Sequence, residues 1–208
     1  MTTQSGESLP PHFFDAIYAD APDPWSFATS EYELEKYAIT LAELPRERYR
    51  SAFEIGCSVG VLTERLAARC DALLSVDVAE RAVQQAQTRC AHLPQVRCAL
   101  LRVPETFPNQ QFDLVVVSEV GYYWSHDDLR RARDLTIEHL ELGGHLMLVH
   151  FTNEVEEYPI SGDAVHDAFL DLTGERAGTA PDPALRHLRG RRERRGERGY
   201  RLDLFERR

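Results

Sequence analysis

The sequence predicts an α/β protein built on a mostly parallel sheet that closes with an antiparallel hairpin. Three observations carry this. Short apolar runs alternate with stretches of helical periodicity from Ala52 to His150, the pattern of strands joined by right-handed helical crossovers. Phe112-Asp-Leu-Val-Val-Val117 is apolar almost throughout, as a strand covered on both faces must be. Farther along, Tyr200, Leu202 and Leu204 alternate with Arg201 and Asp203, the period-two signature of a half-buried antiparallel strand.

Each element has its own local reason. Met1–Leu9 is polar and expected to be disordered. His12–Tyr18 predicts a short amphipathic helix with Phe13, Phe14 and Ile17 on one face. Asp23-Pro24 turns the chain into Trp25. Ser30 caps a helix running to Leu44, with Glu33 at the reciprocal position of a capping box, and Pro45 ends it. Leu34, Tyr37, Ala38 and Leu41 give that helix its apolar face. Residues 1–45 thus read as a helical lid segment ahead of a main domain over 46–208. Strands are expected at Ala52–Gly56, Ala72–Val76, Val96–Val103, Phe112–Val117 and His145–His150. Helices are expected at Val61–Cys70, Ala79–Ala91 and Asp127–Leu140, the last with acidic residues at its positive end. Gly143-Gly144 turns the chain into the fifth strand. A helix over Ser161–Thr173 follows, then strands Ala184–Arg192 and Gly199–Arg207 joined near Gly196.

Composition narrows the function classes. The chain has 208 residues, 43% hydrophobic and 28% charged, with a net charge of −10. The charge is uneven: ten arginines between Arg186 and Arg208 face four acids, so the rest carries −16. A strongly acidic body disfavours a nucleic-acid partner, which needs a basic face. No run of 18 apolar residues exists, so no membrane span is expected. Met1–Pro11 has neither a basic nor an apolar stretch of the secretory kind, and a cytoplasmic location is the expectation. Cys57, Cys70, Cys90 and Cys98 have no C-x-x-C spacing and no histidine cluster beside them. No metal site is expected, and the thiols read as buried and free.

The chemistry concentrates in Glu54-Ile-Gly56-Cys-Ser58-Val-Gly60, which leaves a strand and enters a helix. Glycines there allow positive φ and close backbone approach to a ligand. The spacing departs from the G-x-G-x-x-G of dinucleotide sites, and an acid precedes it. Asp77 ends the next strand, where a carboxylate can accept the hydroxyls of a ribose.

With Phe112-Asp-Leu-Val-Val-Val117, Glu119 behind it and Leu142-Gly-Gly144 before the fifth strand, this pattern resembles the class I S-adenosylmethionine-dependent methyltransferases. It is more closely similar to the NodS type, named for nodulation-factor N-methyltransferases. Asp23-Pro-Trp25, Glu31-Tyr32-Glu33 with Lys36-Tyr37, Phe53-Glu-Ile-Gly-Cys-Ser58, Ser118-Glu-Val-Gly-Tyr-Tyr123 and Gly199-Tyr-Arg-Leu-Asp-Leu-Phe205 carry that similarity. The resemblance implies a Rossmann-like, seven-stranded sheet and S-adenosyl-L-methionine as cofactor. Gly56, Ser58 and Gly60 would line its methionine part, with the acidic Glu54 suiting its ammonium. Asp77 would hold the ribose, Val78 would lie against the adenine, and Glu119 would face the reactive end. Trp25 would cover the methionine end, and Lys36 would meet the carboxylate. One departure stands out: where the group usually offers an acid to the adenine amino group, this chain has Arg102 and Val103. Arginine cannot accept that hydrogen bond, so backbone near Val103, or Glu105, would substitute.

His150, Glu119 and Tyr122 are the candidates for acid–base assistance, with His126 a weaker one. The expected activity is N-methylation of a small-molecule or amino-sugar acceptor. An O-methyltransferase, a non-catalytic S-adenosylmethionine-binding protein and a nucleotide-dependent oxidoreductase are the alternatives. Nothing in the sequence fixes an oligomeric state.

Overall fold

The computed structural model describes residues 6–174 and 183–208. Its elements follow the expected alternation. Helices α1 (Pro11–Asp20) and α2 (Glu31–Glu43) come first. Strand β1 (Ala52–Ile55), helix α3 (Val61–Leu66), strand β2 (Leu73–Asp77), helix α4 (Glu80–Cys90) and strand β3 (Val96–Leu100) follow. Next are β4 (Phe112–Ser118), α5 (His126–His139), β5 (Leu140–Phe151), α6 (Gly162–Leu170), β6 (Leu185–Arg195) and β7 (Arg198–Arg207). The strands form one seven-stranded sheet in the order β3-β2-β1-β4-β5-β7-β6. Among the described residues, no helix is long and apolar enough to cross a membrane.

The chain divides into two compact units, Pro10–Phe107 and a second that joins residues 6–9 to Pro108–Arg208. Residues 10–45 belong to the unit that holds the glycine loop.

In the Pro10–Phe107 unit, β1 pairs β2 and β2 pairs β3, both parallel. Ser30 caps α2 as expected, its side chain accepting from the Glu33 amide. The buried face of α2 differs from the expectation. Glu33, Lys36, Tyr37 and Thr40 turn inward while Ala38 is exposed. A Lys–Glu pair on one helical face neutralises itself, so burial follows a column that apolar periodicity does not mark. Behind the glycine loop, Cys57, Val83, Ala86, Cys90 and Cys98 form a small apolar cluster, and all four cysteines are free and buried.

In the second unit, β4 pairs β5 in parallel, β5 pairs β7 antiparallel, and β6 pairs β7 antiparallel. Gly143 and Gly144 lie within β5 and coincide with a register irregularity against β4, where a turn ahead of the strand was expected. Strand β7 lies between β5 and β6, and α6 covers the face that carries Arg201 and Asp203, which bond Asp163, Asp167 and His166 there and are buried despite their alternation with apolar neighbours. Of the Met1–Leu9 stretch expected to be disordered, residues 1–5 lie outside the described residues. Ser8 and Leu9 are tied down: Ser8 Oγ donates to Asp128 at 2.5 Å, and the Leu9 amide donates to the Tyr123 carbonyl at 2.8 Å.

Candidate active site

The glycine loop leaves β1 with the Gly56 and Cys57 amides both donating to the Val76 carbonyl, at 2.8 and 2.9 Å. Gly56, Ser58 and Gly60 all adopt positive φ, at 87°, 47° and 80°. A left-handed serine is strained, since its Cβ crowds the backbone. At Gly60 glycine is required twice over. Besides the φ, a Cβ would stand 2.9 Å from the Ala86 Cα on α4.

Two carboxylates frame this loop. Glu54 is fully buried on β1, opposite Ser75 in the β1–β2 register. Its Oε2 accepts from Thr63 Oγ1 at 2.6 Å and Ser75 Oγ at 2.7 Å, while Oε1 has no hydrogen-bond partner. Burial pushes the Glu54 carboxyl up to about 7, against the pull of those two hydroxyls. Asp77, half-buried at the end of β2, accepts from the Ser58 amide at 2.9 Å and the Ala79 amide at 3.0 Å. Burial also raises its carboxyl, with the backbone donors opposing. Val78 is half-buried beside it, Val103 is buried, and Arg102 pairs with Glu105 at 2.9 Å.

The loop has a partner that sequence reading missed. Tyr18, at the end of the α1 stripe, shares a 2.5 Å hydrogen bond with Ser58 Oγ. Burial holds the Tyr18 hydroxyl well above the usual tyrosine range, with Asp77 adding to the rise. Trp25 packs edge-on against the Tyr18 ring at 5.6 Å and stacks on Phe27. Asp23 fixes that turn by accepting from the Phe27 and Ala28 amides, both at 2.9 Å. Lys36 is buried, 2.7 Å from Glu33 and 5.3 Å over the Tyr32 ring.

The acid–base candidates lie in the other unit. Glu119 follows β4 at φ 56°, a left-handed non-glycine residue like Ser58 and Ser26. Its amide donates to the Val149 carbonyl, and its Oε2 accepts from Tyr122 Oη and the Phe151 amide, both at 2.8 Å. Tyr122 stacks on Tyr158 with centroids 4.8 Å apart and meets Tyr123 edge-on. Burial, then the nearby Glu119 charge, raise the Tyr122 hydroxyl far above its ordinary range. Tyr122 is therefore a hydrogen-bond donor at neutral pH. His150 is fully buried. Its Nε2 faces the Gly121 amide at 3.1 Å and its Nδ1 faces His166 Nε2 at 3.1 Å. Both ring nitrogens are thus engaged within the fold. His126 is the first residue of α5, behind its Ser125 cap. Among the described residues, no group of three His, Cys, Asp or Glu side chains is placed to hold a metal ion.

Comparison with known proteins matches residues 17–157 to the family described as Nodulation protein S (NodS). The Nodulation protein S of Bradyrhizobium diazoefficiens is 40% identical over 105 residues, 49% of each chain. The matches span about half the length of the first curated relatives. A solved protein of Pseudomonas syringae is 36% identical over 86% of this chain and all of the other, with a TM-score of 0.69. The N-methyltransferase NodS of Bradyrhizobium japonicum, solved with S-adenosyl-L-homocysteine, superposes with a TM-score of 0.80 at 24% identity, covering 94% of this chain and 97% of the other.

Proposed function

Because the chain belongs to the Nodulation protein S family, we propose that it is an S-adenosylmethionine-dependent methyltransferase acting on an amine of a small-molecule acceptor. The carrying observation is the acidic pair Glu54 and Asp77 around a loop of left-handed residues, with one Glu54 oxygen buried and unpartnered. When bound, S-adenosylmethionine supplies an electrophilic methyl group on a sulfonium and presents an ammonium on its methionine part. The residues fit it. Glu54 Oε1 is a buried acceptor in want of a cationic donor. Gly56, Ser58 and Gly60 would line the methionine part. Asp77 is oriented by backbone donors that include the Ser58 and Ala79 amides, and a carboxylate so held keeps acceptor capacity for ribose hydroxyls. Val78 and Val103 would give the adenine its apolar sides. Trp25 would cover the methionine end, braced by Tyr18 and Phe27. Lys36 would reach a carboxylate only by sharing its ammonium with Glu33, so its main effect would be to anchor α2.

An amine attacks only when unprotonated, so the acceptor must be held where it can shed a proton. Glu119 is the best supported of the three acid–base candidates. Its carboxylate is fixed on one oxygen by Tyr122 and Phe151. Tyr122 would serve as the donor that orients Glu119, and His150 as a support. The net charge of −10 favours a neutral or cationic acceptor over a phosphorylated one. An amino sugar meets that requirement and is the acceptor class the family suggests.

The test pairs calorimetry with turnover. The purified protein is titrated with S-adenosylhomocysteine, then supplied with S-adenosylmethionine and either glucosamine oligomers or their hydroxyl-only counterparts. Binding, with homocysteine nucleoside released only on the amine, is expected. No binding overturns the cofactor, and turnover on the hydroxyl acceptors alone overturns amine selectivity.

A further inference from the structure

A buried chain of side chains runs from the Gly121 amide through His150 to His166 and Asp203, two residues that the proposed chemistry does not itself use. It starts at the Gly121 amide, which can only donate, so the His150 Nε2 it faces must accept. A neutral His150 then carries its proton on Nδ1 and donates to His166 Nε2 at 3.1 Å. His166 must in turn carry its proton on Nδ1, where it donates to Asp203 Oδ2 at 2.7 Å. Asp203 is anchored from three sides. His187 Nε2 lies 2.7 Å from its Oδ1, and Arg201 Nε donates to Oδ2 at 2.6 Å. Arg201 is itself held by Asp163 and Asp167, both at 3.0 Å. One carboxylate thus dictates the tautomers of two imidazoles in series. Each of His150 and His166 is fully buried, and Asp203 is 2% exposed.

The polarity is stable at neutral pH. Burial lowers the His166 pKa against the pull of Asp203. Burial raises Asp203, but His166, Arg201 and His187 outweigh it and hold the carboxyl below its usual range. The far end of the chain is built for close contact. A Cβ at Gly121 would stand 2.9 Å from His150 Nε2 and 2.6 Å from a Val165 methyl. Gly121 lies between Glu119 and Tyr122, whose side chains bond each other. The next residue of β5, Phe151, donates its amide to Glu119. Two consecutive β5 residues therefore grip the Glu119–Tyr122 turn, one by side chain and one by backbone.

We propose that His166 and Asp203 are positioning residues for methyl transfer, which act through His150 and the Gly121 amide to fix the turn that presents Glu119. This rests on the methyltransferase reading above. Glutamine at 166 can still offer an oxygen to His150 and an N–H to Asp203, whereas leucine can offer neither. H166L is expected to lower kcat on glucosamine oligomers at least tenfold, with affinity for S-adenosylhomocysteine within about twofold of the wild type. H166Q should recover most of the lost kcat. Nitrogen-15 spectra of histidine-labelled wild-type protein should show His150 and His166 protonated at Nδ1 alone, and D203N should disturb both signals. An Nε2-protonated His150, an unchanged kcat in H166L, or an H166Q no better than H166L overturns the proposal. If H166L does not fold, the wild-type tautomers and the kcat of D203N, expected to fall, decide it. A wild type that releases no S-adenosylhomocysteine on any amine overturns the methyltransferase reading instead, and that result is seen before any variant is made.

Discussion

Glu54→Gln separates the carboxylate at the glycine loop from every other titrating group. Glu54 is fully buried, with two hydroxyls on one oxygen and nothing on the other. Burial raises its pKa from an ordinary 4.5 to about 7, Thr63 and Ser75 pull it back, and Asp77 adds to the rise. Between those two values the folded protein keeps a proton that the unfolded chain has released. Stability tied to this group is therefore fully present below pH 4.5 and is lost as pH rises through 7. At about 1.4 kcal/mol per unit, the loss approaches roughly 3 kcal/mol by about pH 8. Glutamine fills the same space, accepts from both hydroxyls and cannot ionise. Urea unfolding of both proteins from about pH 5 to 8 should show the difference moving in favour of Glu54→Gln by roughly that amount. A pH-independent difference refutes the reasoning. Under the proposed cofactor assignment the ammonium pairs with the ionised form. Affinity for S-adenosylhomocysteine should then rise from about pH 6 to 8 in the wild type and stay flat in Glu54→Gln.

Asp77→Ala removes the acceptor at the end of β2 and orphans the Ser58 and Ala79 amides. Calorimetry should show S-adenosylhomocysteine bound about 10- to 100-fold more weakly, from the loss of charge-assisted hydrogen bonds worth about 1.5–3 kcal/mol. Gly60→Ala must place its Cβ 2.9 Å from the Ala86 Cα at φ 80°. A stability loss of about 2 kcal/mol or more in urea unfolding is expected. Ser58→Gly relieves a left-handed serine but gives up the Tyr18 bond. These effects, each about 1 kcal/mol, should nearly cancel in stability while cofactor affinity falls. Tyr122→Phe deletes the donor to Glu119. Steady-state kinetics should show a lower kcat with cofactor affinity unchanged; a change confined to cofactor affinity would place Tyr122 differently.

What the sequence made legible is what chain-local physics determines. Ser30 before an acidic first turn marked a helix start, and the structure has its side chain accepting there. The run Phe112–Val117 became the wholly buried β4 because only a doubly covered strand tolerates such a sequence. Glu54, the glycines and Asp77 were visible because they sit in one strand–loop–helix–strand unit. Contacts between distant residues were not visible. Tyr18 meets Ser58 across 40 positions, and His166 meets Asp203 across 37. Hydrophobic periodicity also failed where charge is buried in compensated form. Lys36 with Glu33 turned the inner face of α2, and Arg201 with Asp203 gave β7 the alternation of a strand with one wet face. His150 was noticed as a strand-end imidazole. Its partners on both sides come from outside its own strand, so its engagement could not be read from sequence.

Ser58 and Glu119 share a logic that joins these observations. Each follows a sheet strand, each is a non-glycine residue at positive φ, and each lies in a different unit. A left-handed residue with a side chain costs of order 1–3 kcal/mol and persists only where its surroundings over-determine it. Both are over-determined. Ser58 is held at its amide by Asp77 and at its hydroxyl by Tyr18. Glu119 is held at its amide by Val149 and at its carboxylate by Tyr122 and Phe151. Glycine would satisfy either backbone without strain but could not present an oxygen. The strain is therefore the cost of placing a polar side chain at a strand end on a backbone that cannot relax. Tyr18 and the His150–His166–Asp203 chain belong to the same account: they are the distant groups that keep these two residues where local preference would not.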